Sequence, residues 1–261
     1  MIPISDDNPT RTTPYVTYAL IAINVLAYVV EFWMLNRHGD AYVIAGYGLV
    51  PTRFAADPGG EAFTIFTSMF MHGGLGHLAS NMLFLWIFGD NVEDAIGRVR
   101  YVVFYLACGV CAAAAQVLTN PASPAAMVGA SGAIAGVLGA YLVLYPRAPI
   151  TVFVFFFLIA MPAWLVIGGW FALQVWGARA LGLDSSDSGG VAVYAHIGGF
   201  LAGVLLIRAA MIGRERATAS RFTGFRNVGP RNRFGLPPPR DGGRDGGAVP
   251  GPGAGRWDSW R

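Results

Sequence analysis

"MVGASGAIAGVLGAYLVLYP", residues Met127 to Pro146, sets one serine, Ser131, at the head of a run of glycines, alanines and aliphatics. The run is apolar enough for a bilayer, yet only about 15 residues separate Ser131 from Pro146. A hydrocarbon core about 30 Å thick asks for roughly 20. A helix closed at Pro146 therefore ends within the membrane at its Ser131 end. The segment before it, "TNPASPAAMVGA", has no helical or strand period. Irregular backbone at such depth is tolerated only against protein or a water-filled cavity, so the stretch predicts a wet pocket with Ser131 at its floor.

The rest of the chain fits a membrane setting. Of 261 residues, 54% are hydrophobic and 13% charged, and mean hydropathy is +0.50, which excludes an ordinary soluble domain. Six apolar windows predict six helices, at about 15–35, 77–96, 101–119, 131–145, 150–177 and 191–212. The first has no basic n-region and no small-residue cleavage site, so it reads as a retained helix. All basic residues are Arg. With both termini in the cytoplasm, Arg11, Arg98, Arg100, Arg147 and the Arg-rich tail lie inside, and only Arg37, Arg53 and Arg179 outside, as the positive-inside rule prefers. The organisation expected is a short cytoplasmic lead (1–14), a membrane domain (15–212) and a cytoplasmic tail (213–261) whose Arg, Gly and Pro content predicts disorder. A long connection at about 36–76 reads as a structured loop lying partly in the interface. Cys108 and Cys111 form C-x-x-C inside an apolar window, which suits packing better than redox or zinc chemistry.

Polar groups in membrane spans are costly and default to functional hypotheses. His72, His77, Asn81, Ser131 and His196 stand out. His77 and Asn81, four apart, share a helix face. In the six-helix topology the second, fourth and sixth helices run in one direction, and Asn81, Ser131 and His196 each lie about 16 residues, or roughly 24 Å, from the inner end. A lone serine in a Gly/Ala-rich helix is ordinarily a packing residue. Three polar groups at one level change that reading. His196 is suited to take the hydroxyl proton of Ser131, and the Asn81 amide, a His77 N–H and the Ser131 backbone N–H could bind an oxyanion. Gly132 and Gly136 after the serine, and Gly199 and Gly203 after the histidine, form small-x-x-x-small faces that bring membrane helices close. No acidic residue lies near His196 in sequence, which gives a dyad rather than a triad. There is no G-x-S-x-G elbow, since Ala133 follows Gly132, and no H-E-x-x-H; Glu93 sits about 12 residues beyond Asn81.

These residues resemble the rhomboid family of intramembrane serine proteases. The nucleophile motif G-x-S-G stands as Gly129-Ala130-Ser131-Gly132, and the histidine motif A-H-x-x-G-F-x-x-G runs from Ala195 to Gly203. The second-helix pattern appears as His72, His77 and Asn81 in "FMHGGLGHLASNMLF". The resemblance implies an all-α, six-transmembrane-helix bundle that cleaves transmembrane protein substrates in the lipid bilayer without metal or cofactor, with no nucleic-acid partner. It implies Ser131 as nucleophile, His196 as base and then acid, His77 and Asn81 as oxyanion donors, and His72 and Gly129 lining the cavity. A bacterial inner membrane is the expected location, and the larger N-terminal soluble domain of some members is not expected.

Two positions depart from the family's pattern. Loop one has Pro51-Thr52-Arg53-Phe54 where some members carry Trp-Arg, and Ala135 stands where some place an aromatic that stacks on the histidine. Tyr194 is the substitute nearest in sequence. The alternative reading is a catalytically silent rhomboid-like protein that binds transmembrane helices, which would normally lack the Ser or the His; a transporter or channel is more remote.

Overall fold

In the computed structural model, which describes residues 2–180 and 192–214, the chain is a helical membrane bundle with one small sheet. A strand β1 (Ile2–Asp6) leads into helix α1 (Tyr15–His38). Four short helices follow, α2 (Asp40–Tyr47), α3 (Pro51–Ala56), α4 (Pro58–Glu61) and α5 (Thr64–Thr67), then a 3-10 turn at Ser68–Phe70. Next come α6 (Leu75–Ile96), α7 (Arg98–Thr119) and α8 (Ser131–Leu144). A hairpin of β2 (Pro149–Val154) and β3 (Phe157–Pro162) precedes α9 (Ala163–Ala180) and α10 (Val193–Ala210). The predicted tail lies almost wholly outside the described residues.

Three of these helices, α1, α7 and α10, are long and apolar enough to cross a membrane, whereas Ser131–Leu144 and the apolar part of α9, Ala163–Trp176, are shorter. α6 has 22 residues but carries Asp90, Glu93 and Asp94 toward its end. Those carboxylates are spent locally. The buried Glu93 accepts from the backbone N–H groups of Val16 (3.0 Å) and Thr17 (2.8 Å) and from the Thr17 hydroxyl (2.8 Å), so it caps the start of α1, whose first N–H groups have no helical partner. Asp94 likewise accepts from the Thr12 N–H (3.1 Å) and hydroxyl (2.7 Å). At Gly97 the backbone reverses with φ +80, a conformation natural to glycine, and α7 begins.

The apolar run at about 150–177 is not one helix. Its first part is the β2–β3 hairpin, and helix begins only at Ala163. β1 adds to the other edge of β2, giving an antiparallel sheet in the order β1-β2-β3, with Ile2 opposite Phe153 and Val154 opposite Phe157. The polar lead is thus tied into the fold, and the Tyr141 hydroxyl at the far end of α8 donates to Asp6 (2.8 Å).

α8 occupies the centre: every residue from Gly132 to Tyr141 is buried. A Cβ at Gly199 or Gly203 would run into the carbonyl oxygens of Gly132 or Gly136, and one at Gly136 would strike Cys108. Helices α7, α8 and α10 therefore meet almost backbone to backbone, the contact that small residues permit where lipid offers no hydrophobic drive to association. Cys108 is buried in this seam and Cys111 is exposed; both are free thiols.

Candidate active site

Ser131 is the first residue of α8, reached through Gly129, whose φ is +127. A side chain at Gly129 would be strained, and its Cβ would stand 2.8 Å from His77 Cε1, 2.9 Å from His77 Nε2 and 3.5 Å from Ser131 Oγ. Glycine thus lets the backbone pass between the His77 imidazole and the serine hydroxyl. Three ties hold this approach segment to the long loop. Leu49 and Met127 exchange backbone hydrogen bonds (3.1 and 2.8 Å), Thr52 N–H donates to Ser123 O (3.1 Å), and Gly129 N–H donates to Ser68 O (2.8 Å). Loop one is accordingly the frame for the serine's approach. Its own shape is kept by Arg53, which pairs with Glu61 and reaches the Ala45 carbonyl.

His196 lies on the first turn of α10 and is buried. Its Nε2 is 2.7 Å from Ser131 Oγ. Residues 65 positions apart in sequence thereby form the close pair that general-base activation of a hydroxyl requires. The α8–α10 seam makes this possible, since Gly132 and Gly199 allow the two helix starts to approach. On its other side the imidazole meets α9: Nδ1 is 3.2 Å from Gln174 Oε1, and the Trp170 ring lies at 5.8 Å and 39°. Trp170 and Gln174 are one turn apart and share a face. Phe171 stacks on Phe200 of α10 at 4.2 Å, which keeps that face against the histidine. Support for the ring thus includes two residues, Trp170 and Gln174, that no motif in the sequence marks. The only signal in the sequence is the i, i+4 spacing of a Trp and a Gln in an apolar helix. Gln116 of α7 adds a further tie by accepting from Ala195 N–H (3.2 Å).

The predicted oxyanion residues sit on the first turns of α6. Asn81 is buried, and its Nδ2 has no hydrogen-bond partner among the described residues. The His72 ring is buried with both nitrogens similarly unpartnered, and it meets His77 edge-on at 5.3 Å. Its backbone N–H is held by the buried Glu31 of α1 (2.8 Å). Unpaired buried donors are costly and concentrate where a ligand completes them. The N–H groups at the start of α8, which precede the ladder opened by Ile134 N–H to Ala130 O (3.0 Å), add further donors and the positive end of the helix dipole.

The chain is similar to several known proteins. Residues 59–212, well over half of the chain, match the family model described as Rhomboid domain. Rhomboid protease GluP of Bacillus subtilis is 35% identical over 132 residues, 49% of this chain and 24% of that protein. Rhomboid protein 1, mitochondrial, of Saccharomyces cerevisiae is 30% identical over 198 residues, 72% of this chain and 51% of that protein. RHOMBOID-like protein 6, mitochondrial, of Arabidopsis thaliana is 32% identical over 155 residues, 57% of this chain and 43% of that protein. The matches thus span between about a quarter and about half of these relatives' own lengths.

Proposed function

Because the chain belongs to the rhomboid family, we propose that it is an intramembrane serine endopeptidase, hydrolysing peptide bonds in or near transmembrane segments of membrane proteins. The observation that carries this reading is the 2.7 Å approach of His196 Nε2 to Ser131 Oγ at the half-buried head of α8. Ser131 Oγ attacks the substrate carbonyl carbon while its proton passes to His196 Nε2. The resulting oxyanion is met by the Asn81 amide, a His77 N–H and the Ser131 backbone N–H, donors already oriented before reaction. The imidazolium then protonates the departing amine, leaving an acyl-enzyme on Ser131. Water, deprotonated by His196 in turn, attacks the ester carbonyl and releases Ser131 and the second product.

No step calls for a metal or cofactor. His72 and Gly129 line the same cavity. A substrate helix unwinds locally before attack, because its carbonyls are otherwise engaged in the helical ladder, so segments with small or helix-weakening residues are the preferred class. The protein sits in a cell membrane, of bacterial inner-membrane type, with both termini cytoplasmic and Ser131 toward the outer face. The membrane domain is 15–212, with the lead 1–14 tied onto it through β1 and the tail 213–261 after it.

The purified full chain in detergent should label covalently with a fluorophosphonate, and Ser131→Ala and His196→Ala should each abolish labelling. Undiminished labelling of Ser131→Ala would sink the assignment. A chain that binds transmembrane helices but is never labelled would instead fit a silent rhomboid-like binder.

A further inference from the structure

We infer that Gln174 is a positioning residue for the proposed Ser131/His196 pair: its side-chain carbonyl fixes His196 in the one tautomer able to accept the serine proton. The inference rests on the reading of that pair as catalytic. A neutral imidazole carries one N–H and one lone pair, and the hydrogen bond at one nitrogen decides the state of the other. Gln174 Oε1 faces His196 Nδ1 at 3.2 Å and has only lone pairs to offer, so Nδ1 carries the hydrogen and Nε2 the lone pair. That lone pair is aimed at Ser131 Oγ, 2.7 Å away. Were the amide reversed, its NH2 would hold the opposite tautomer and His196 could not act as base. When Nε2 takes the proton, the Nδ1–H bond to Oε1 becomes charge-assisted and stabilises the imidazolium.

The placement fits the gap left at Ala135. That residue is fully buried in α8 and brings no ring to His196. Helix α9 supplies both kinds of support instead: Trp170 packs on the imidazole from one turn below the residue that holds Nδ1. A neutral amide at this half-buried position also avoids an unpaired carboxylate beside the buried imidazole, where its partial desolvation would be costly.

The test is steady-state cleavage of a transmembrane substrate by the full chain in detergent, alongside fluorophosphonate labelling. Gln174→Leu keeps the bulk and removes the acceptor; kcat should fall on the order of ten- to a hundredfold with KM little changed, a milder loss than that from disorienting a histidine held by a carboxylate. Gln174→Glu restores an acceptor, so kcat at high pH should recover. Its acid limb should also move to higher pH, because a carboxylate keeps the imidazole protonated longer. If Gln174→Leu keeps kcat within twofold, the inference is overturned. It is equally overturned if Gln174→Glu is as slow as Gln174→Leu at every pH, which is the behaviour of a mere packing residue. Should Gln174→Leu fail to fold, the pH profile of Gln174→Glu decides alone, and a profile identical to that of the unaltered chain refutes the role. Failure of the underlying reading looks different: the unaltered chain would label no more than Ser131→Ala.

Discussion

At the scale of single residues, the candidate site depends on groups with no second partner. The Asn81 amide is the sharpest case, buried one turn after His77 on α6 with an N–H donor that nothing among the described residues accepts. Asn81→Ala should therefore lower kcat on the order of a hundred- to a thousandfold, the usual cost of one oxyanion donor, while substrate affinity stays nearly constant. A matched fall in kcat and affinity would place Asn81 in substrate binding instead. Ser131, His196, His77 and Asn81 were legible in the sequence because their spacings carry chemistry in an apolar background where any polar residue is conspicuous. Gln174 and Trp170 were not. A helix packed between protein and lipid is apolar all round, so nothing in its sequence says which face meets the histidine. Its link to α10 also runs through residues 181–191, outside the described part of the chain.

At the scale of elements, the end of α6 remote from His77 works as a clasp on the start of α1. Three donors converge on the Glu93 carboxylate. Gln in its place keeps the shape but turns an NH2 group toward those donors, so Glu93→Gln should cost about 2–3 kcal/mol, the scale of losing hydrogen bonds to a buried charged group. Denaturant or thermal unfolding in detergent reads the loss. Fluorophosphonate labelling per folded molecule should stay unchanged, because Glu93 lies 16 residues from His77, or roughly 24 Å of helix. No motif in the sequence marks this role of Glu93, because its partners are backbone N–H groups of another helix. Helix boundaries of α1, α6, α7, α8 and α10 follow the apolar windows closely. The fifth window misled because an apolar run of this kind suits a buried strand and a helix equally well, and Phe, Val and Ile populate both.

At the scale of the whole molecule, the three-stranded sheet ties the N-terminal lead to the segment between α8 and α9. Asp6 of β1 receives the buried Tyr141 hydroxyl from the far end of the same helix that begins with Ser131. Asp6→Ala leaves that hydroxyl without this acceptor, and stability should drop by about 1–3 kcal/mol, measured as a lower unfolding midpoint. The Ser131 end should keep its labelling, and a loss of labelling in the folded variant would show that the sheet transmits its state along α8. The same sheet also imposes an order in time. Ile2 pairs with Phe153, so β1 is synthesised about 150 residues ahead of its partner. At ribosomal speeds of about 5–20 residues per second that is a wait of roughly 8 to 30 seconds. Through that interval the backbone groups of the strand stand without their β2 partners. Pro3 within it, lacking an N–H to offer, makes it a poor template for the wrong neighbour until β2 arrives.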